Sequence, residues 1–205
     1  GDEGGPRQQG GGALAAPGVY KVSLARKTGG VVTPLNAEET ITVEADAAAG
    51  LTEADRRARD EFLERALRVQ RQVLGALDAA NQAKAKLTAI KRALLDGPAQ
   101  PAMIETASKL DARVTAILRK LRGDETLRGL ESGAPSSIQS RAMSAAAVTR
   151  GMTSPPTATM QMNLRIASEE LAEESAKLKA MLEELKRFEQ ALDAAGVPYT
   201  QGRYQ

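Results

Sequence analysis

Apolar side chains recur at alternating steps of three and four residues through the middle of the chain. Steps of this kind place side chains on one face of an α-helix, so the pattern predicts a long helix, from about Leu51 to Leu95, that packs against other helices. Thr52 and Asp55 have the spacing of a capping box at its start. The repeated positions are Phe62, Ala66, Val69, Val73, Ala76, Ala80, Ala83, Leu87, Ile90 and Leu94.

The same spacing predicts two more helices. Gly97 and Pro98 end the first helix, and a second follows over about 102–121. A third is predicted over about 158–195, where Gly196 supplies a C-terminal stop. The apolar stripes are Met103, Ala107, Leu110, Val114, Ile117 and Leu121 in the second helix, and Leu164, Leu171, Leu178, Leu182, Leu185 and Leu192 in the third.

The lengths of these helices predict how they pack. The loop after the first helix is short, so the first two helices are expected to form an antiparallel hairpin. The second helix covers only part of the long apolar seam, which leaves the remainder to the third. Residues 51–205 are therefore predicted to form an antiparallel three-helix bundle, with a flexible connector at about 122–157. Within the connector, only Ser137 to Val148 has the anchors for a short helix.

The first fifty residues follow a different period. Apolar and polar positions alternate over 19–26 and again over 40–45, which predicts a strand at each, and residues 31–33 can form a short return strand. Two or three strands are thus expected over 17–50, after a flexible glycine-rich linker at 1–16. A sheet this small is marginal in water. We expect it to pack on the helices, to pair with strands of a missing upstream portion, or to do both.

Composition excludes several classes of chemistry. The 205 residues include no histidine and no cysteine, which rules out histidine-based triads, thiol nucleophiles, structural zinc sites and disulfides. Glu169 with Glu173, and Glu170 with Glu174, have the spacing of half a carboxylate metal site, but such sites in bundles normally add histidines. We predict no catalytic residue, no cofactor and no metal site, and that this chain is not an enzyme.

Basic residues gather in the first helix, although the net charge is only +2. A nucleic-acid or anionic-lipid surface is one interpretation. Carboxylates interrupt the run and no aromatic side chains are interleaved for base stacking, so a solvated helix face is favoured over either partner. We expect ion pairs between Glu61 and Arg65 and between Glu64 and Arg68, and carboxylates of the third helix facing the arginines of the first. The arginines are Arg56, Arg57, Arg59, Arg65, Arg68 and Arg71.

One polar residue, Asn81, lies next to the apolar seam. A buried asparagine can set the register of packed helices. An exposed position at the edge of the seam is the expected alternative.

The order of motifs along the chain resembles a known family. Two strands precede the long helix: Ala16-Pro17-Gly18-Val19-Tyr20-Lys21-Val22-Ser23-Leu24 and Ile41-Thr42-Val43-Glu44-Ala45-Asp46. Further segments flank the last helix: Ser154-Pro155-Pro156-Thr157 and Ala195-Gly196-Val197-Pro198-Tyr199-Thr200. This succession looks like the C-terminal region of bacterial sortilin-like (VPS10-like) β-propeller proteins, which are often labelled glycosyl-hydrolase-like BNR-repeat proteins. In that family a large propeller precedes an Ig-like sandwich, whose last strands carry a PG-x-Y-x-V-x-L signature, and then a helical hairpin.

The resemblance implies a function as well as a fold. The strands would be the terminal strands of an incomplete Ig-like sheet, and the chain would be the C-terminal end of a larger secreted or envelope protein. It would then be a non-catalytic accessory or interaction module that stabilises or docks the propeller, in an extracytoplasmic (periplasmic or secreted) location. Its partners would be the upstream Ig-like and propeller portions, or another protein.

Other functions are compatible with the residue pattern alone. The long ladder and the basic middle segment would also suit a self-contained coiled-coil adaptor or a membrane-surface helical protein. A hydrolase that acts through pairs of glutamate or aspartate is a third and weaker alternative.

Overall fold

The computed structural model describes residues 15, 17–44, 50–97, 101–124, 136–150, 152, 154–198 and 200. Its elements in chain order are strands β1 (Gly18–Thr28) and β2 (Val31–Val43), then helices α1 (Glu53–Asp96), α2 (Pro101–Arg122), α3 (Ile138–Arg150) and α4 (Ala158–Ala194). The described residues are mainly helical and an antiparallel pair of strands precedes the helices. The predicted fold class, mainly α with strands before the helices, is confirmed.

Helix α1 is 44 residues long and begins at the predicted cap. The Thr52 side chain accepts a hydrogen bond from the Asp55 N–H, and the Asp55 side chain accepts one from the Thr52 N–H. At 1.5 Å per residue, the helix extends for about 66 Å. Its buried stripe follows the predicted ladder except near its middle, where Leu77 is buried and Ala76 only half-buried. Both positions lie close to the centre of the stripe, and the larger side chain is the one enclosed.

The other helices form two columns beside α1. Helix α2 runs antiparallel along the C-terminal half of α1, because Lys91 and Lys84 contact Asp111 while Arg122, at the other end of α2, donates to Asn81. Helix α3 covers the N-terminal half, where the Met143 sulfur accepts a hydrogen bond from Gln70 at 3.0 Å. Helix α4 contacts all three other helices. The bundle therefore has the predicted three-helix cross-section, but it is built from four helices, because α2 and α3 each cover one half of α1.

Helix α3 lies inside the segment that was predicted as a flexible connector at about 122–157. It begins beside Ser137, whose hydroxyl accepts a hydrogen bond from the Ser140 N–H. Its buried positions are mostly alanines, which give a weak amphipathic signal in the sequence yet allow a close approach to α1. Those positions are Ile138, Ala142, Ala145, Ala146 and Thr149. The rest of the predicted connector, at 125–135, 151 and 153, lies outside the described residues.

The two strands form one long hairpin. Gly29 and Gly30, both with positive φ (58° and 86°), make its turn. The predicted return strand at 31–33 and the predicted strand at 40–45 are parts of one strand, β2, so the alternative of three separate strands is wrong for the described residues. Proline does not end β2, because a bulge follows it: Ser23 faces Glu38 while Ala25 faces Pro34, which leaves residues 35–37 opposite Leu24 alone. Ala45 and the predicted linker at 1–14 and 16 lie outside the described residues.

Candidate functional site

The hairpin has one largely apolar face. Cross-strand pairing sets Tyr20 opposite Ile41, and alternation along each strand brings further apolar residues to the same side. We call this side the apolar face of the hairpin after its apolar residues, which are Tyr20, Val22, Leu24, Val31, Ile41 and Val43. The same side also carries Arg26, Thr28, Thr33 and Glu39. Leu24 is 59% exposed, Val31 67% and Ile41 47%. The strand alternation correctly predicted the Tyr20, Val22 and Leu24 face, but Val31 was missed because the predicted return strand was not assigned a face.

The helices do not cover this face. Among the described residues, no Cα atom of β1 or β2 lies within 8 Å of a Cα atom of any helix. Pro17, just before β1, lines an open cleft with the first turns of α1. Of the two expectations for this sheet, packing on the helices is therefore not seen in the part of the chain that the structure describes.

The helical bundle, in contrast, completes its own core. The buried apolar residues of all four helices form one continuous cluster, from Phe62 near the start of α1 to Leu192 near the end of α4. The apolar ladder of α1 is enclosed by α2, α3 and α4 and is not available to a second helix from elsewhere. The exposed apolar surface is consequently concentrated on the hairpin.

Carboxylates of α4 do not face the arginines of α1, which corrects the sequence-based expectation. Glu184 pairs with Arg113 of α2, and Glu189 pairs with Lys86 of α1 at 3.1 Å. The expected Glu61–Arg65 pair is also replaced, since Arg65 donates to the backbone carbonyl of Glu61 and lies 5.8 Å from the centre of the Phe62 ring. Glu64 and Arg68, both described, form no ion pair. Most ion pairs between helices therefore involve a lysine or a residue of α2.

Asp111 is the centre of the best connected polar cluster between helices. Its carboxylate accepts from Lys84 at 2.7 Å and from Lys91 at 3.2 Å, and Lys84 also donates to the Thr115 hydroxyl. Desolvation by burial acts to raise the pKa of Asp111, but the hydrogen bonds and charges of the two lysines outweigh it and hold that pKa below its ordinary value. This cluster joins α1 to α2 and has no reacting group beside it.

Three of the four glutamates considered as half of a metal site form ion pairs within α4. Glu169 pairs with Arg165, while Glu173 and Glu174 both bind Lys177, at 2.7 and 2.9 Å. The hydrogen bonds that Lys177 donates to the two carboxylates raise the pKa of Lys177, and the bond to Glu173 lowers the pKa of Glu173. Within the described ranges, no group of three or more acidic side chains is arranged to hold a metal ion.

The remaining candidates are surface features. Asn81 is exposed and accepts a hydrogen bond from Arg122 at 3.0 Å, so the edge position is confirmed. Arg59 is bound to Asp60 and to the backbone carbonyl of Met152, and Arg57 pairs with Glu53. These contacts fit the solvated-face interpretation of the arginine run.

An open cleft of about 520 Å³ between α2 and α4 has four cations at its rim. Three of the four are bound by carboxylates of the chain: Arg113 by Glu184, Arg119 by Asp124 at 3.3 Å, and Lys177 by Glu173 and Glu174. The fourth is Lys120. The intramolecular pairs leave the rim with little excess positive charge, so it does not form an anion site.

Comparison with known proteins leaves the function to be argued from this geometry. No protein-family model matches the chain, and no curated protein and no solved structure is significantly similar to it. In the part of the chain that the structure describes, no helix combines the length and the apolar character needed to cross a membrane.

Proposed function

We propose that this chain is a non-catalytic interaction module that docks onto a β-rich partner through the apolar face of its hairpin. One observation carries the proposal: the hairpin exposes Leu24, Val31 and Ile41 and has no Cα atom within 8 Å of a Cα atom of a described helix, whereas the bundle encloses most of its own apolar residues. A two-stranded hairpin is marginal in water without a third strand or a covering layer. The bundle then serves as the rigid support that presents the hairpin.

The gain from covering the apolar face would be substantial. Full burial of a valine, leucine or isoleucine side chain contributes about 1.5–3 kcal/mol. The face carries several such side chains, with Leu24 and Ile41 near its middle. A partner that covered them would stabilise the hairpin in its paired form and would itself gain a specific attachment point.

The proposed partner is the upstream part of the same protein. The resemblance to sortilin-like β-propeller proteins supports an Ig-like domain whose remaining strands would complete the sheet, with a propeller before it. An extracytoplasmic location belongs to this proposal and has the same support. Neither nucleic acid nor a membrane is proposed as a partner.

The natural gene product tests the proposal directly. We expect the amides of residues 18–43 to exchange hydrogen at least tenfold more slowly in the product isolated from its source than in the separate 205-residue chain, because covered strands are protected. Exchange in α1 should be the same in both samples and serves as the internal reference. Equal exchange of the hairpin in the two samples would refute the docking role.

A pair of variants localises the effect to the apolar face. In the natural product, Leu24→Glu should restore fast exchange over 18–43, because a buried glutamate loses its hydration without a partner. Val19→Glu is the matched control, since Val19 lies on the opposite side of the same strand and is 72% exposed. An equal effect of the two substitutions would show that the apolar face is not the contact.

The coiled-coil adaptor and the membrane-surface helix are less well supported alternatives. A coiled-coil adaptor needs a free apolar seam, but the ladder of α1 is enclosed within the chain. A membrane-surface helix needs an exposed apolar stripe beside its basic residues, yet Phe62, Ala66 and Val69 beneath the arginine run are buried.

A further inference from the structure

The two edges of the hairpin differ in their ability to accept another strand. An added strand needs a row of outward N–H and C=O groups with regular spacing. β2 interrupts that row: Pro34 has no N–H, residues 35–37 form the bulge, and Asn36 has a left-handed φ of 53°. β1 has no proline, and on its side the irregularity involves one residue, Leu24, which has no cross-strand partner. The backbone therefore favours the outer edge of β1.

We infer that the outer edge of β1 binds a strand that alternates apolar and acidic residues, contributed by a polypeptide other than a second copy of this chain. The inference rests on the proposed function and specifies it further: it names the edge and the chemistry of the partner. Apolar residues of the added strand would extend the apolar face beside Val22 and Leu24, and its carboxylates, on the opposite side of the sheet, would lie beside Lys21 and Lys27.

The charges of β1 support an acidic partner. β1 includes Lys21, Arg26 and Lys27 and no carboxylate. Within the hairpin, Lys21 pairs with Glu38. Arg26 lies opposite Thr33, and Lys27 lies opposite Val32, so β2 places no carboxylate directly across from either cation. Lys21 and Lys27 lie on one side of the sheet, and Arg26 lies on the other side with Val22 and Leu24. A strand along the outer edge of β1 can place its carboxylates on the side of Lys21 and Lys27, and opposite charges across strands are stabilising.

The same charges disfavour pairing between two copies of the chain. Pairing of β1 with a second β1 would supply no carboxylate to Lys21, Arg26 or Lys27 and would add three more cations to the same small sheet, so it gains no cross-strand ion pair. Pairing through β2 would meet the proline and the bulge, together with Glu38 and Glu39 on both strands. Both edges thus resist self-association, and β1 alone accepts a strand of complementary charge.

A peptide titration tests the inference on the full 205-residue chain. The probe is a ten-residue peptide of alternating valine and glutamate, acetylated and amidated at its ends, and a valine–lysine peptide of the same length is the control. We expect the glutamate peptide to slow exchange of the amides on the outer edge of β1 and to leave the amides on the outer edge of β2 unchanged. The lysine peptide at the same concentration should not slow amide exchange in β1. Sedimentation should show a monomer without peptide.

Two variants of equal charge change separate local from general electrostatics. Lys21→Gln with Lys27→Gln should weaken binding of the glutamate peptide roughly three- to tenfold, because two cross-strand pairs on one side of β1 are lost. Thr40→Glu with Thr42→Glu makes the same change of net charge on β2 and should weaken binding of the glutamate peptide less than twofold.

The outcomes separate this inference from the proposed function. Protection of β2 in place of β1, equal protection by the lysine peptide, or a dimer with protected β1 amides would each overturn the inference. Protection of neither edge by the peptide would also overturn it, and the proposed function would then stand or fall on the comparison with the natural product. Slower exchange of 18–43 in that product would retain a docking role through the apolar face alone.

Discussion

Ala80 is fully buried in the middle of α1, where its small side chain lets the neighbouring helices approach closely. Replacing it with leucine adds three carbon atoms at a position that has no room for them. Overpacking of this kind forces side chains off their preferred rotamers and shifts the backbone, so we expect Ala80→Leu to lower the free energy of unfolding by roughly 1–3 kcal/mol, measured by urea denaturation.

Ala85→Leu provides the matched control for that substitution. Ala85 lies on the same helix one and a half turns away and is exposed. Leucine and alanine have similar helix propensities, so the change there should be within about 0.5 kcal/mol. Equal losses at the two positions would mean that helix propensity, and not close packing at Ala80, sets the result.

Asp111 provides a prediction that depends on pH. The lysines on α1 hold the pKa of Asp111 below its ordinary value of 3.8, which means that folding favours the ionised carboxylate. The stabilisation is therefore fully present above the ordinary pKa and is lost as pH falls through the lower pKa of the folded state. Asp111→Asn should lower the free energy of unfolding by about 1 kcal/mol at pH 7, as expected for a partly buried pair.

The pH dependence of this difference is the decisive measurement. Urea denaturation at pH 7 and below pH 3 should show that the difference in free energy of unfolding between Asp111→Asn and the unchanged chain becomes smaller at low pH. Glu105→Gln is the control, because Glu105 pairs with Lys109 on the exposed side of the same helix and should matter much less. A gap that stays constant with pH would assign the loss to packing instead of charge.

At the scale of whole elements, the helices with the most regular spacing of large apolar residues were predicted most closely. Helices α1, α2 and α4 have leucines, isoleucines and valines at regular steps, and their positions were predicted closely. α3 buries mainly alanines, and alanine is equally common in helices that face solvent, so its sequence could indicate only a possible helix. The contact of α3 with α1 is a tertiary effect, since α1 offers an uncovered half that α2 is too short to reach.

The hairpin shows a different limit of sequence reasoning. The alternation of apolar and polar residues in β1 predicted its apolar side correctly, because the alternation is unbroken there. In β2 the proline suggested a break, and the bulge that accommodates it depends on cross-strand pairing, which a single strand does not reveal. The difference between the two edges, which carries the inference about an added strand, follows from that bulge and became visible only with the register.

At the scale of the whole molecule, the hairpin and the bundle have separate sources of stability. Every residue of the buried apolar core belongs to a helix, and no described strand residue approaches one closely. Removing residues 1–50 should therefore leave the melting temperature of the bundle within about 3 °C of that of the full chain, since 1 kcal/mol corresponds to about 2–4 °C at this size. The truncated chain keeps Thr52, the cap of α1. A larger fall in the melting temperature, measured from the helical signal on heating, would show that the hairpin stabilises the bundle. The hairpin would then not be a free surface for another partner.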